Sequence, residues 1–157
     1  GPSGVGKSTV AHVLWSTDPD RSTLIDLDAI RRRAFPGPST TTSLQFAHDQ
    51  GLERARAALD RGESVIVERL FERPELIEDF VRLARQRGAQ PVHVLLIADE
   101  FTRLERHRRR AQANPRRGVS EDYVRSLNQT SRIEGTVEID TRELTVNEVV
   151  EEIVTHL

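Results

Sequence analysis

The chain has 157 residues, 36% of them hydrophobic and 31% charged, with a formal net charge of −2. That length supports a core of ordinary size in a single domain, and the charge balance argues against nucleic-acid or anionic-membrane binding through bulk charge. With no cysteine there is no disulfide framework, thiolate metal site or cysteine nucleophile; with no signal-peptide pattern and no membrane-length apolar run, a cytoplasmic enzyme or binding domain is expected.

The first ten residues, GPSGVGKSTV, read as a phosphate-binding loop running into its helix. Gly1, Gly6, Lys7 and Ser8 fit G-x-x-x-x-G-K-[ST] at every fixed position. Glycines let backbone N–H groups converge on phosphate oxygens, and the helix adds its N-terminal dipole. With Ser3, Gly4, Val5 and Thr9, the loop is assigned to ATP. Lys7 is placed on the β- and γ-phosphates as a catalytic group, and the Ser8 hydroxyl on Mg2+. Lys7 is the sole lysine among 23 basic residues, all the others being arginine. The arginine bias fits a GC-rich coding sequence, and the lysine that survives stands where a compact ammonium is useful.

A helix is predicted from Lys7 to about Trp15, punctuated by residues 18–21. STLIDLD (residues 22–28) reads as a buried strand delivering Asp26 and Asp28 to one face at its tip. FPGPSTTTS (residues 35–43) reads as a loop where a substrate-covering segment would sit, followed by a helix over residues 49–61 stopped by Gly62. SVIVE (residues 64–68) is the next strand, ending in Glu68. A helix from Pro74 to Gly88, a strand over residues 91–98 and an arginine-dense helix follow, then the loop NPRRGVS. A strand at residues 136–140 precedes a last helix, which opens on a Thr145–Glu148 capping box. Strands alternating with helices mean an α/β domain with a mostly parallel sheet.

With the loop and DLDAIR (residues 26–31) in hand, the sequence resembles a branch of P-loop kinases. That branch includes adenylylsulfate kinases, gluconate kinases, chloramphenicol phosphotransferases, zeta toxins and the kinase domains of polynucleotide 5′-kinases. The resemblance implies a three-layer P-loop NTPase fold across residues 1–157, with a lid over about 101–120. It makes Asp28 the candidate general base and Arg31 a substrate or phosphate clamp, with Asp26 beside them. Both carboxylates could instead cap the next helix. Glu68 falls where the family has an acidic or polar residue near Mg2+ or substrate, although Asp is more familiar there and pairing with Arg69 is an equal alternative. LERHRRR (residues 104–110) matches the family's L-x-R-x-x-x-R, implying that Arg106 and Arg110 close over the transferring phosphoryl group. They share a helix face four residues apart; the remaining arginines of the run are expected to face solvent. Asp140 and Thr141 fall where this fold packs adenine.

The function implied is an ATP- and Mg2+-dependent kinase acting on a hydroxyl of a small molecule. Zeta-toxin-like phosphorylation of a nucleotide sugar and phosphorylation of a polynucleotide 5′ end are alternatives, the latter weakened by the few aromatics and negative charge. A nucleotide-binding regulatory domain without phosphotransfer is the reading from another class. A GTPase switch is disfavoured, because no N-K-x-D segment can exist with one lysine. In the resembling fold a strand precedes the loop in mid-sheet, between those ending at Glu68 and Ala98, so a short apolar strand is expected upstream of Gly1.

Overall fold

The computed structural model describes residues 1–71, 73–113, 121–126 and 130–157. Helix α1 (Lys7–Ser16) leads to β1 (Ser22–Asp26), α2 (Leu27–Ala34), α3 (Thr41–Asp60), β2 (Ser64–Glu68), α4 (Pro74–Gln86) and β3 (Val94–Ile97). Then come α5 (Glu100–Ala113), α6 (Glu121–Ser126), β4 (Val137–Asp140) and α7 (Val146–Val154). Among the described residues no helix is long and apolar enough to cross a membrane.

The strands pair in parallel as β1–β2 and β3–β4, giving two two-stranded sheets rather than one continuous sheet. The register sets Asp26 opposite Glu68 and Ile97 opposite Asp140, so both pairs end on carboxylate-bearing edges. Ligands of open α/β sheets gather at such C-terminal strand ends. Each pair has its own apolar core. Ile25, Leu27, Ile30, Ala47, Ala55 and Leu83 fill one, beneath β1, α2, α3 and α4. Val5, Val10, Leu96, Ile139, Val149 and Ile153 fill the other, which joins the phosphate loop and α1 to β3, β4 and α7.

Two boundaries differ from the sequence reading for local reasons. The strand reaching Asp28 stops at Asp26, whose carboxylate accepts a 2.8 Å bond from the Ala29 N–H and so caps α2. Asp28 therefore stands in the first turn of a helix, not beside Asp26 on a strand face. The loop reading of residues 35–43 ends early because Thr40 and Ser43 form a reciprocal capping box that starts α3 at Thr41. The C-terminal capping box of Thr145 and Glu148 forms at the foreseen place.

Gly51 joins α3 to α2. A Cβ there would lie 2.3 Å from Leu27 Cδ2 and 3.3 Å from Phe80 Cζ, and Leu27 is fully buried with nowhere to move. Gly51→Ala is expected to lose on the order of 1–2 kcal/mol in denaturant unfolding. Overpacking of about 1–3 kcal/mol outweighs the gain of up to about 1 kcal/mol in helix propensity.

Candidate active site

The phosphate loop is shaped by its glycines. Gly4 (φ +88°) and Gly6 (φ +96°) adopt a conformation that side chains resist, and Gly6 is the N-cap of α1 without any side-chain cap. The first N–H groups of α1 are thus left for an anion. A Cβ on Gly4 would also meet the Arg103 carbonyl oxygen at 2.8 Å, so α5 lies directly against the loop.

Lys7 is partly buried, and its ammonium donates to the Pro2 carbonyl at 3.0 Å, curling back onto the loop. Burial lowers its pKa, opposed by the charges of Glu68 and Asp28, with Arg110 adding to the depression. Ser8 Oγ donates to Glu68 Oε1 at 3.1 Å. Glu68 is buried, and its pKa is raised by that burial, against the pull of Lys7. Asp26 and Asp28 push it further up, and the Ser8 bond pulls it down. Lys7, Ser8, Glu68, Asp28 and Arg110 therefore form one electrostatic cluster at the ends of β1 and β2.

The candidate residues take distinct places in it. Asp28 is half-buried, with no hydrogen-bond or ion-pair partner among the described residues. Asp26 is occupied by its cap and by Arg32 at 3.7 Å. Asp26→Ala is expected to cost about 1 kcal/mol of stability through the lost cap, read from a thermal melt, while Asp26→Asn keeps the cap. Arg31 is buried, and its guanidinium donates to the carbonyls of Phe35 (3.2 Å) and Gly37 (2.8 Å), holding the turn after α2. Both bonds come from Nη1 and are made within the chain.

The arginines of α5 also divide. Arg106 donates to Thr141 Oγ1 at 2.9 Å and to the Thr141 carbonyl, tying α5 to the segment after β4. Arg108 and Arg109 pair with Glu121 and Glu105 on the surface. Arg103, expected in solvent, is instead 3% exposed and donates to the Val124 carbonyl at 3.2 Å. Its backbone buttresses Gly4, which explains the burial. Arg110 is exposed and has no such partner among the described residues. The lid tip, with Pro115, Arg116, Arg117 and Gly118, lies outside the described residues.

A cavity of about 310 Å3 opens between the loop, α5 and the start of α7. Gly4, Gly6, Thr9, Arg106, Arg110 and Thr141 are among its walls. Val5 is buried beneath it, and its carbonyl accepts from Thr141 Oγ1 at 3.3 Å. Sequence reasoning named nearly all of these residues. It missed a second cavity of about 200 Å3 beside β2, walled by Thr41, Leu44, His48, Arg69, Arg73 and Leu76. The available signal was Arg69 itself, an arginine directly after the strand-end carboxylate.

The donor set bears on a divalent cation. Among the described residues no group of three or more His, Cys, Asp or Glu converges as a metal cage. What converges is the Ser8 hydroxyl with Glu68, near Asp26 and Asp28. One or two hard oxygen donors, completed by phosphate and water, fit Mg2+ rather than a dedicated all-protein site.

A sequence search of curated proteins gives no significant match. Among solved structures, the chain is similar to the Mycobacterium tuberculosis APS kinase in complex with AMPPNP and APS. Identity is 18% and the TM-score 0.72, covering 99% of this chain and 92% of that one. A gluconokinase from Sinorhizobium meliloti matches with 20% identity and TM-score 0.69, covering 98% and 86%. The Deinococcus radiodurans tunicamycin resistance protein matches with 23% identity and TM-score 0.65, covering 99% and 90%. The profile described as "AAA domain" matches residues 1–132. With a phosphate loop of that pattern at the head of an α/β fold shared with APS kinase and gluconokinase, the chain belongs to the AAA domain family and has the fold of those P-loop kinases.

Proposed function

We propose that the protein is an ATP-dependent phosphotransferase that moves the γ-phosphate to a hydroxyl of a small molecule. The observation that carries this is the partnerless Asp28 carboxylate, held in one cluster with Lys7, Glu68 and Arg110 beside the phosphate loop. ATP enters the 310 Å3 cavity with its phosphates on the loop N–H groups and its base towards Thr141, where Arg106 closes one side. Lys7 leaves the Pro2 carbonyl for the β- and γ-phosphates. Ser8 and Glu68 would hold Mg2+, which when bound would neutralise phosphate charge and fix the triphosphate. Asp28 orients the acceptor hydroxyl and takes its proton as the oxygen bonds to the γ-phosphorus. The bond from that phosphorus to the β,γ-bridging oxygen breaks, and ADP leaves with the electron pair. Arg110 faces the charge on the transferring group, where an arginine is worth up to about 10³–10⁵ in rate in related chemistry.

The direct test is acceptor-dependent ADP release from Mg·ATP across a panel of hydroxyl compounds, with product phosphorylation read by mass spectrometry. Transfer to a small hydroxyl compound is the expected result. Nucleotide binding with no transfer to any acceptor would favour a regulatory domain.

A further inference from the structure

Helix α5 is held beside the phosphate loop at two places, one through its backbone and one through a side chain. At the first, the Arg103 carbonyl oxygen lies 2.8 Å from where a Cβ on Gly4 would stand. At the second, about 4.5 Å further along the helix axis, Arg106 reaches across to Thr141. A single contact leaves a helix free to roll about its own axis, and a second removes that freedom. Arg110 stands one turn beyond Arg106 on the same face, and both line the 310 Å3 cavity. The direction of Arg110 is therefore set by what holds Arg106.

One residue holds it. Arg106 Nη1 donates to Thr141 Oγ1 at 2.9 Å and Nη2 donates to the Thr141 carbonyl, so the planar fork closes on two oxygens of one residue. Thr141 is only 3% exposed, and its own N–H donates to the Ile97 carbonyl at 2.9 Å, at the end of β3. A hydroxyl carries one proton and two lone pairs. That of Thr141 spends a lone pair on Arg106, and its proton is shared by the carbonyls of Val5 (3.3 Å) and Ile97 (3.2 Å). Val5 belongs to the phosphate loop and is buried. A single oxygen thus joins α5, the loop and the end of β3. At the far end of this chain of contacts, Arg110 lies close enough to Lys7 to help depress the pKa of that ammonium.

We propose that Thr141 is a positioning residue: through Arg106 it fixes the roll of α5 over the phosphate loop and so aims Arg110 at the terminal phosphate of the nucleotide. Its hydroxyl is committed within the chain, and it acts through the two arginines rather than by reading the base. This rests on the phosphotransferase reading, in which Arg110 faces the transferring group, and the experiment separates the two.

Binding of ADP and of AMPPNP, which keeps a third phosphate, is measured by calorimetry on the whole chain with Mg2+. The parent is expected to prefer AMPPNP, and Arg110→Gln to lose about tenfold of that preference. Thr141→Val keeps the shape and removes the hydroxyl; it should lose nearly as much of the preference, with a smaller loss for ADP. Thr141→Ser should recover most of it. In the Arg110→Gln background Thr141→Val should remove no further preference, because two steps of one chain of contacts do not sum. A residue that only stabilised the fold would weaken both nucleotides alike. A parent without preference, an unchanged preference in Thr141→Val, multiplied losses in the double variant, or a serine variant no better than the valine one would each overturn the proposal. If the preferences follow the expected pattern while no acceptor is phosphorylated, the phosphotransferase reading falls and the positioning role stands. Turnover at the parent kcat in Thr141→Val would keep that reading and remove the role.

Discussion

Lys7→Ala is expected to lower kcat/KM for phosphotransfer by about 10²–10³-fold, the loss typical of removing one preorganised donor from developing negative charge. The loss should appear in ATP binding as well as in turnover, because the same ammonium meets ground-state phosphates. Stability should move the other way. Burial depresses the Lys7 pKa below its usual 10.5, so the charged form is harder to keep in the folded chain than in the unfolded one. The folded chain then binds fewer protons as pH approaches 10.5, and this group's contribution to stability rises with pH there and is lacking at neutral pH. The variant should therefore melt at neutral pH no lower than the parent. A melt that fell sharply would mean that the bond to Pro2 is structural.

The second large effect belongs to Asp28. Asp28→Asn keeps size and polarity but removes the proton acceptor, and should reduce kcat by about 10²–10⁴-fold with ATP affinity nearly intact. Asp26→Asn is the internal control: two residues away, it retains the cap of α2 and should leave kcat within a few-fold. Equal losses from both variants would mean that local charge, not proton transfer at Asp28, supports the reaction. Turnover that survived Asp28→Asn would remove the base assignment altogether.

The phosphate loop was legible in the sequence because its pattern is contiguous and each position has its own chemical reason. Element types were legible for a similar cause: apolar runs and punctuating Gly and Pro residues are local. What escaped was decided across the chain. The division of Asp26 from Asp28 hangs on which carboxylate captures the Ala29 N–H. The fate of Arg106 depends on Thr141, 35 residues away, and that of Arg31 on carbonyls made available only by the turn after α2. The second cavity is assembled from three segments, α3, the β2 exit and the start of α4, none of which carries a pattern alone. Periodicity finds a helix face; it does not say what the face will meet.

The two separate cores have an evolutionary corollary. Residues that would grip the nucleotide are anchored mainly in the one built on β3, β4 and α7, whereas the walls of the second cavity stand on the one beneath β1, α3 and α4. Substitutions in the walls of the second cavity therefore draw on a different reserve of folding free energy from substitutions around the phosphate loop. A lineage can change one core while the other stays under unchanged selection, the two halves meeting where α1 lies against β1 and β2 and Ser8 Oγ meets Glu68.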